Sequence, residues 1–431
     1  MRINLNYGQT GIRVELDDLW PVDIYRRPAM PVLSDDALAV EEALDRPFSG
    51  EGRSPWQGEK ACILISDKIW PTPNGLLLNA LLGRLEAVGV KDITVLLANG
   101  LNRPPGVQEL EELAGGPAVL QRAKVLCHYA RKLDTHVNLG VTGRGTPILV
   151  NRHFAQADIK IVTGMVSPHF MAGYSGGDKV ISPGICHQET ITHLRSARIL
   201  EDPRAANLEL ANNPMHADQM EIASRLGVVW ALNVALDERR RLSFVNFGIL
   251  APSHGQAVKF VEKYVTMPVK RLYDTVLTSA GGYPLDQTYY QAVKGMVGAT
   301  GLMAPGGQLF LAAECKQGLG SPEFVQAQRR LLAQGPERFQ HNLLNKPQAE
   351  IDEWATEMLL KAMRRGTMTL YAPLLNQEQS LLTGIKVISN LEPALRQWLD
   401  SREDKAIAVV PEGPYVIPQG FSPQICLPFQ T

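Results

Sequence analysis

A charge excess of either sign is missing from this sequence. Its 43 Lys and Arg residues are balanced by 44 Asp and Glu, so nothing marks a nucleic-acid or anionic membrane surface. Long apolar runs are missing too, since none approaches the ~18 residues that a membrane span needs. Cysteine is sparse: Cys62, Cys127, Cys186, Cys315 and Cys426 are odd in number and share no metal-binding spacing. That argues against a thiolate zinc site and suits core or surface thiols in a reducing cytoplasm. The stretch MRINLNYGQTGIRVEL alternates as a strand does and lacks the apolar core of a signal peptide, so a cytoplasmic location is expected. Repeats at solenoid period and low-complexity tracts are absent.

What remains is a globular composition, 45% hydrophobic and 20% charged, too long at 431 residues for one ordinary core. From residue 60 onward, apolar runs alternate with amphipathic segments. ACILISD, KDITVLLANG and AKVLCHYA read as strands, NGLLLNALLGRLEAVG and VQELEELAGG as helices between them. TPILVNRHFAQADIKIVTG reads as a hairpin or strand pair, and DQMEIASRLGVVWALNVALD as a helix and strand. After the helix HGQAVKFVEKYVT and a boundary near MPVKR, a second series follows. Its strands are YDTVLTSAGG, GQLFLAAEC, TMTLYAP and KAIAVVPEG, with helical segments between them. Strands that end in Asp, Asn or Gly before a helix mark parallel βα units, whose ligand sites lie at the carboxyl ends of the strands. Two α/β domains with mostly parallel sheets and a cleft between them are expected, spanning 1–268 and 269–431.

Chemistry concentrates in PHFMAGYSGGDK, residues 168–179. Gly173, Ser175 and Gly177 spell the nucleophile elbow of a serine hydrolase, but that motif needs a strand running straight into the serine. The preceding SPHFMAGY is a poor strand, and His341, the formal partner with Asp286, sits on what reads as a helix surface. A phosphate-binding P-loop fails because Asp178 separates Gly177 from Lys179 and valine follows. A glycine-rich turn carrying His169 and Lys179 is left, and its glycines permit close backbone approach to a ligand. Taken alone, the same stretch suits a tight connection with a hydrogen-bonded core histidine.

The stretch does not stand alone. LGVTGRGTPILVN, ADIKIVTGMVSPHFMAGYSGGDKVISPGI, TSAGGYPLDQTYYQAVKGM and GGQLFLAAECKQGLGSPEF resemble, in that order, the nickel-pincer lactate racemase family. The resemblance implies an isomerase, a racemase or epimerase of 2-hydroxyacids. It implies two domains and a pyridinium nucleotide bonded through a thioamide to a lysine, holding nickel with one histidine from the protein. Hydride passes from the substrate Cα to the pyridinium ring and back, while two histidines exchange the hydroxyl proton. Partners would be a small-molecule substrate and the enzymes that build the cofactor, with no nucleic acid or membrane; the oligomeric state stays open.

Carried over by position, Lys179 matches the cofactor lysine and His169 one of the paired acid/base histidines. Asp67 matches a loop aspartate beside the cofactor, and Ser175, Gly176 and Gly177 belong to the cofactor turn. Tyr290, Gln291 and Lys294 match substrate-binding residues and share one helix face. Three positions depart. Trp70 replaces the arginine that grips the substrate carboxylate, leaving one N–H donor and no charge. Asn102 replaces the second catalytic histidine, and an amide takes no proton at neutral pH. Arg195 occupies the nickel-ligand position, and a guanidinium has no lone pair to give. His193, two residues earlier, and His187 are the remaining imidazole candidates for the metal. The resemblance thus implies a 2-hydroxyacid racemase with altered substrate. The alternative is a nickel-free homologue that binds a nucleotide or other anion through the glycine turn and Arg195.

Overall fold

The computed structural model describes residues 1–50 and 52–419; Cys426 lies outside them. The chain forms two compact units. One comprises Ala29–Leu194 and Arg204–Tyr264; the other gathers Met1–Pro28, Arg195–Pro203 and the chain from Val265 onward.

The first of these units is built on a six-stranded sheet in the order Leu242–Ile249, Trp230–Leu236, Ile159–Met165, Lys60–Ser66, Asp92–Ala98, Lys124–Cys127. All neighbours are parallel except the first pair. Ile63, Leu64 and Ile65 have no exposed surface, as expected of a parallel strand covered on both faces. The helix Asn74–Ala87 places Leu77, Leu78, Leu81, Leu82 and Leu85 into the same core at helical spacing. The 147–165 stretch is no hairpin. Asn151 Oδ1 accepts the His153 N–H and starts the short helix Arg152–Ala155, which sends Ile159–Met165 into the main sheet. Pro147–Asn151 pairs instead with His136–Val141. The antiparallel strand Leu242–Ile249 escaped the sequence reading. It is set by a tight turn in which Asp237 accepts the Arg239 and Arg241 N–H groups and Arg240 takes φ +61°.

The other unit carries a wholly parallel six-stranded sheet: Lys386–Ile388, Gly366–Tyr371, Met303–Ala312, Tyr273–Ser279, Ile407–Val410, Val22–Ile24. The opening stretch folds as the antiparallel hairpin Arg2–Leu5 with Ile12–Glu15. Its Ile3, Leu5 and Val14 pack into one core with Leu395, Leu399 and Val409.

Three imidazoles brace the segment that leads into the helix Gln188–Leu194. His128, His136 and His187 are all more than nine-tenths buried, with ring centroids 5.1 and 5.2 Å apart along the row. His128 donates from Nε2 to the Cys186 carbonyl at 3.0 Å and accepts at Nδ1 from the Asn151 amide, so it is neutral and fully bonded. His136 donates from Nδ1 to the Lys132 carbonyl. Burial lowers the pKa of all three, that of His128 to about 3. The neighbouring charges, Asp134 and Arg152 beside His136 and Glu189 beside His187, do not reverse this.

An unfolded chain would protonate these rings near pH ~6.5, and the folded chain does not. Their contribution to stability is therefore complete above that pH and is lost as pH falls below it, at up to about 1.4 kcal/mol per pH unit for each ring. The urea midpoint should drop between about pH 6.5 and 4.5, and His128→Gln should make the drop shallower. Equal slopes for the two proteins would contradict this assignment.

Candidate functional site

Three neighbouring parallel strands, Ile159–Met165, Lys60–Ser66 and Asp92–Ala98, feed three loops at their carboxyl ends, where α/β sheets place ligand sites. The first loop is the glycine-rich turn. After Met165 the chain makes the small hairpin Pro168–His169 with Gly173–Tyr174, then the turn Ser175–Gly177 and the short helix Asp178–Ile181. Ser175 is 2% exposed, and its hydroxyl donates to the Met165 carbonyl at 2.8 Å and accepts the Ser167 N–H at 3.0 Å. A hydroxyl so occupied staples the turn and is no nucleophile. Gly177 takes φ +53°, and a Cβ there would meet the His254 ring at 2.5 Å. Only glycine lets the turn lie flat on that imidazole.

Beneath the turn, His254 donates from Nε2 to the Ser175 carbonyl at 2.9 Å. Asp178, at the start of the short helix, lies 3.0 Å from His216 Nδ1 and 4.0 Å from His254 Nδ1. The Asp178 carboxylate thus faces the His216 ring at close range within the buried base of the turn. Burial opposes a charge on His216, yet the Asp178 carboxylate outweighs it and raises that pKa. Burial dominates at His254 and lowers its pKa. Neither histidine carried any sequence signal, since each meets the turn only through the fold.

On the turn itself, His169 is 7% exposed. Its Nδ1 accepts the N–H groups of Met171 at 3.3 Å and Ala172 at 3.1 Å. The second loop brings Trp70 beside it, with ring centroids 6.4 Å apart. Lys179 Nζ lies 5.1 Å from the centre of the Trp70 ring, within cation–π range. Asp67 organises this second loop: Oδ1 accepts the Ile69 N–H at 3.2 Å, and Oδ2 accepts from Asn102 Nδ2 of the third loop at 2.5 Å. Asp67, Trp70, Asn102, His169, Ser175, Gly176, Gly177 and Lys179 thus stand on adjoining loops of one unit.

The remaining residues divide. His193 donates from Nδ1 to the Glu189 carbonyl at 2.8 Å, one helical turn back, which leaves the lone pair on Nε2. His187 is the reverse: Nδ1 accepts the Glu189 N–H at 3.3 Å, so its proton sits on Nε2. In the other unit, Tyr290, Gln291 and Lys294 are half-buried on one face of the helix Tyr289–Ala299, whose opposite face buries Tyr289, Ala292, Val293 and Met296. Arg195 belongs to that unit, with its guanidinium 4.4 Å from the centre of the Trp354 ring. Trp354 Nε1 donates to the Tyr290 hydroxyl at 2.8 Å. Asp352, bonded to Ser321, lies near the same guanidinium, and burial raises its pKa. Asp352 and Trp354 were not legible in the sequence. His341 lies on the helix Pro336–Leu344, bonded to Asn345. Among the described residues, no group of three or more His, Cys, Asp or Glu side chains is arranged to hold a metal ion, and no helix is long and apolar enough to cross a membrane.

Comparison with known proteins bears on this geometry. Residues 7–207 match the lactate racemase N-terminal domain, and residues 269–418 the lactate racemase C-terminal domain. The chain is 27% identical to the lactate racemase of Thermoanaerobacterium thermosaccharolyticum over 425 residues, covering 96% of this chain and 98% of the relative. It is 28% identical to that of Lactiplantibacillus plantarum over 392 residues, 88% of this chain and 90% of the relative. The solved apoprotein structure of the Thermoanaerobacterium thermosaccharolyticum lactate racemase superimposes with TM-score 0.89 at 26% identity, over 97% of this chain and all of that one. A Thermotoga maritima protein at 15% identity and TM-score 0.66 shares the fold.

The contact between Gly177 and His254 yields a direct test. Gly177→Ala should cost more than about 1–3 kcal/mol, combining an unfavourable φ with a clash. It should also expose Lys179 to faster acylation by an amine-reactive probe. Wild-type stability together with wild-type labelling would refute the packing role given to Gly177.

Proposed function

Because this chain belongs to the lactate racemase family, we propose that it is a 2-hydroxyacid racemase or epimerase using a nickel-pincer nucleotide on Lys179, with a more apolar substrate than lactate. The observation that carries the reading is the meeting of Trp70, His169 and Lys179 at the carboxyl ends of adjoining strands. Held by Lys179, the cofactor would supply hydride-accepting and hydride-donating chemistry at the substrate Cα. The protein's own groups do the rest.

Lys179 is the tether. Its amine lies over the Trp70 indole face, which holds the side chain at the ends of the loops through a cation–π contact. At the position counted as the metal ligand, Arg195 cannot donate a lone pair. Its guanidinium is held over Trp354, so the anion-binding alternative it motivated has no special support. His193 fits the donor chemistry. A metal-binding imidazole characteristically gives its other N–H to a carbonyl, and His193 gives Nδ1–H to Glu189. We therefore assign His193 Nε2 as the nickel donor.

Trp70 sets the substrate. An indole in place of a guanidinium offers one N–H and a broad apolar face, which favours a 2-hydroxyacid with an aliphatic or aromatic side chain. Asn102, held by Asp67, is oriented to hydrogen-bond a substrate oxygen. Tyr290, Gln291 and Lys294 are the proposed further binding residues, with Lys294 as counter-ion to the carboxylate. Cytoplasmic placement is in keeping with the thiols Cys62, Cys127, Cys186 and Cys315, all free.

Intact-mass spectrometry tests this reading. Protein co-produced with the cofactor's biosynthetic enzymes should carry added mass that Lys179→Ala abolishes. The loaded protein should interconvert an aliphatic 2-hydroxyacid such as 2-hydroxy-4-methylpentanoate faster than lactate. Unmodified protein from cells that load a known lactate racemase would sink the proposal.

A further inference from the structure

In the unit that holds Arg195, a cavity of about 840 Å³ opens toward the amino ends of three neighbouring strands, beside Gly306, Gly366 and Lys386. Parallel βα units place their usual ligand sites at the other end of the sheet. The volume nevertheless falls in the range of roughly 300–1,000 Å³ found for small-molecule sites. The helix Pro322–Gln334 contributes Leu332 to the lining, the helix Glu353–Met363 its last residue, and the helix Gln377–Leu382 Ser380 and Leu381.

Two cations line this cavity without a counter-ion among the described residues. Arg365 is half-buried; its Nε donates to the Met303 carbonyl at 2.8 Å, and its Nη2 is buried with no acceptor. Burial alone acts on its pKa, lowering it, and no carboxylate offsets that cost. The exposed Lys386 side chain has no ion pair or hydrogen bond. Arg364 is engaged elsewhere, paired with Glu201 at 2.9 Å. A charge drawn out of water needs a partner, and two like charges in one cavity repel. Around them the lining is chiefly apolar, from Leu332, Met363, Met368, Leu381, Ile385 and Val387. Leu332 and Leu381 stay 48% and 70% exposed, so apolar surface in the cavity stands open to water.

The geometry points to an additional ligand site here, for a monocarboxylate on an aliphatic chain. The planar Arg365 guanidinium matches a carboxylate, and Lys386 supplies a second positive charge for the same group. The apolar side chains cover the aliphatic body, which is where burial is favourable. A phosphorylated sugar or a nucleotide would set polar groups against them and gain nothing from their burial. None of the lining residues is among those assigned to cofactor or substrate, so the site stands whether or not Lys179 is loaded.

Isothermal titration of the unloaded full-length chain with octanoate tests the site. Octanoate should bind, and its neutral isostere octanamide should bind more weakly by about tenfold or more, as expected for loss of charge-assisted hydrogen bonds. Lys386→Gln removes one of the cations, and Leu381→Glu sets a carboxylate against the ligand's own. Both positions are exposed, and each change should weaken octanoate by about tenfold or more. Absence of octanoate binding, wild-type affinity in both variants, or tighter binding of inorganic phosphate than of octanoate overturns the inference. So does binding that Lys294→Gln weakens and Lys386→Gln does not, since octanoate would then occupy the proposed substrate site.

Discussion

The hydroxyl of Ser175 is the constraint on which the candidate site depends. With its backbone N–H and Oγ bonded to Ser167 and Met165, it folds the chain back across the end of a central parallel strand. Gly176 and Gly177 can then take positive φ, at 75° and 53°, and His254 seals the turn from below. Everything chemical follows from that fold-back. It sets His169 on a hairpin tight enough to bond its own ring, and it starts the short helix that carries Lys179. The literal elbow motif described a serine meant to attack. The structure holds a serine whose lone pairs and proton are already spent on backbone.

Backbone also decides what each imidazole can do. At His169 two N–H groups select the Nε2–H form, and at His193 a carbonyl selects the opposite one. The first ring thereby carries its hydrogen on Nε2, and the second keeps a lone pair there. His254 and His128 each give Nε2–H to a carbonyl and are structural. Chemical role in this chain is thus set less by residue type than by which backbone group each ring meets first. Side chains meet in the same way: Trp70 offers Lys179 an indole face, Asn102 gives its amide hydrogen to Asp67, and Arg195 lies over Trp354.

Much of this was legible in the sequence, for a physical reason. Strands buried on both faces must be continuous apolar runs, so Lys60–Ser66 and Asp92–Ala98 announced themselves, together with the loops that follow them. Lys179 and His169 were marked by a glycine spacing that few other structures require. What the sequence hid is what depends on distant contacts. His254 sits far along the chain from the turn it supports, and Asp352 and Trp354 meet Arg195 only once folded. The 147–165 stretch misled because a four-residue helix, capped by Asn151, redirects a pattern that otherwise alternates like a hairpin. Leu242–Ile249 was hidden by the charged turn before it, whose Asp237 hydrogen bonds are invisible to periodicity.

The central claim is that Lys179 carries the cofactor while His193, and not Arg195, holds the metal. Nickel content per Lys179-modified chain tests it most directly, measured on protein co-produced with the cofactor's biosynthetic enzymes. The account predicts about one nickel per modified chain in the wild type and in Arg195→Ala, falling by tenfold or more in His193→Ala, in line with loss of a metal ligand. Full nickel occupancy in His193→Ala, or its loss in Arg195→Ala alone, would contradict it.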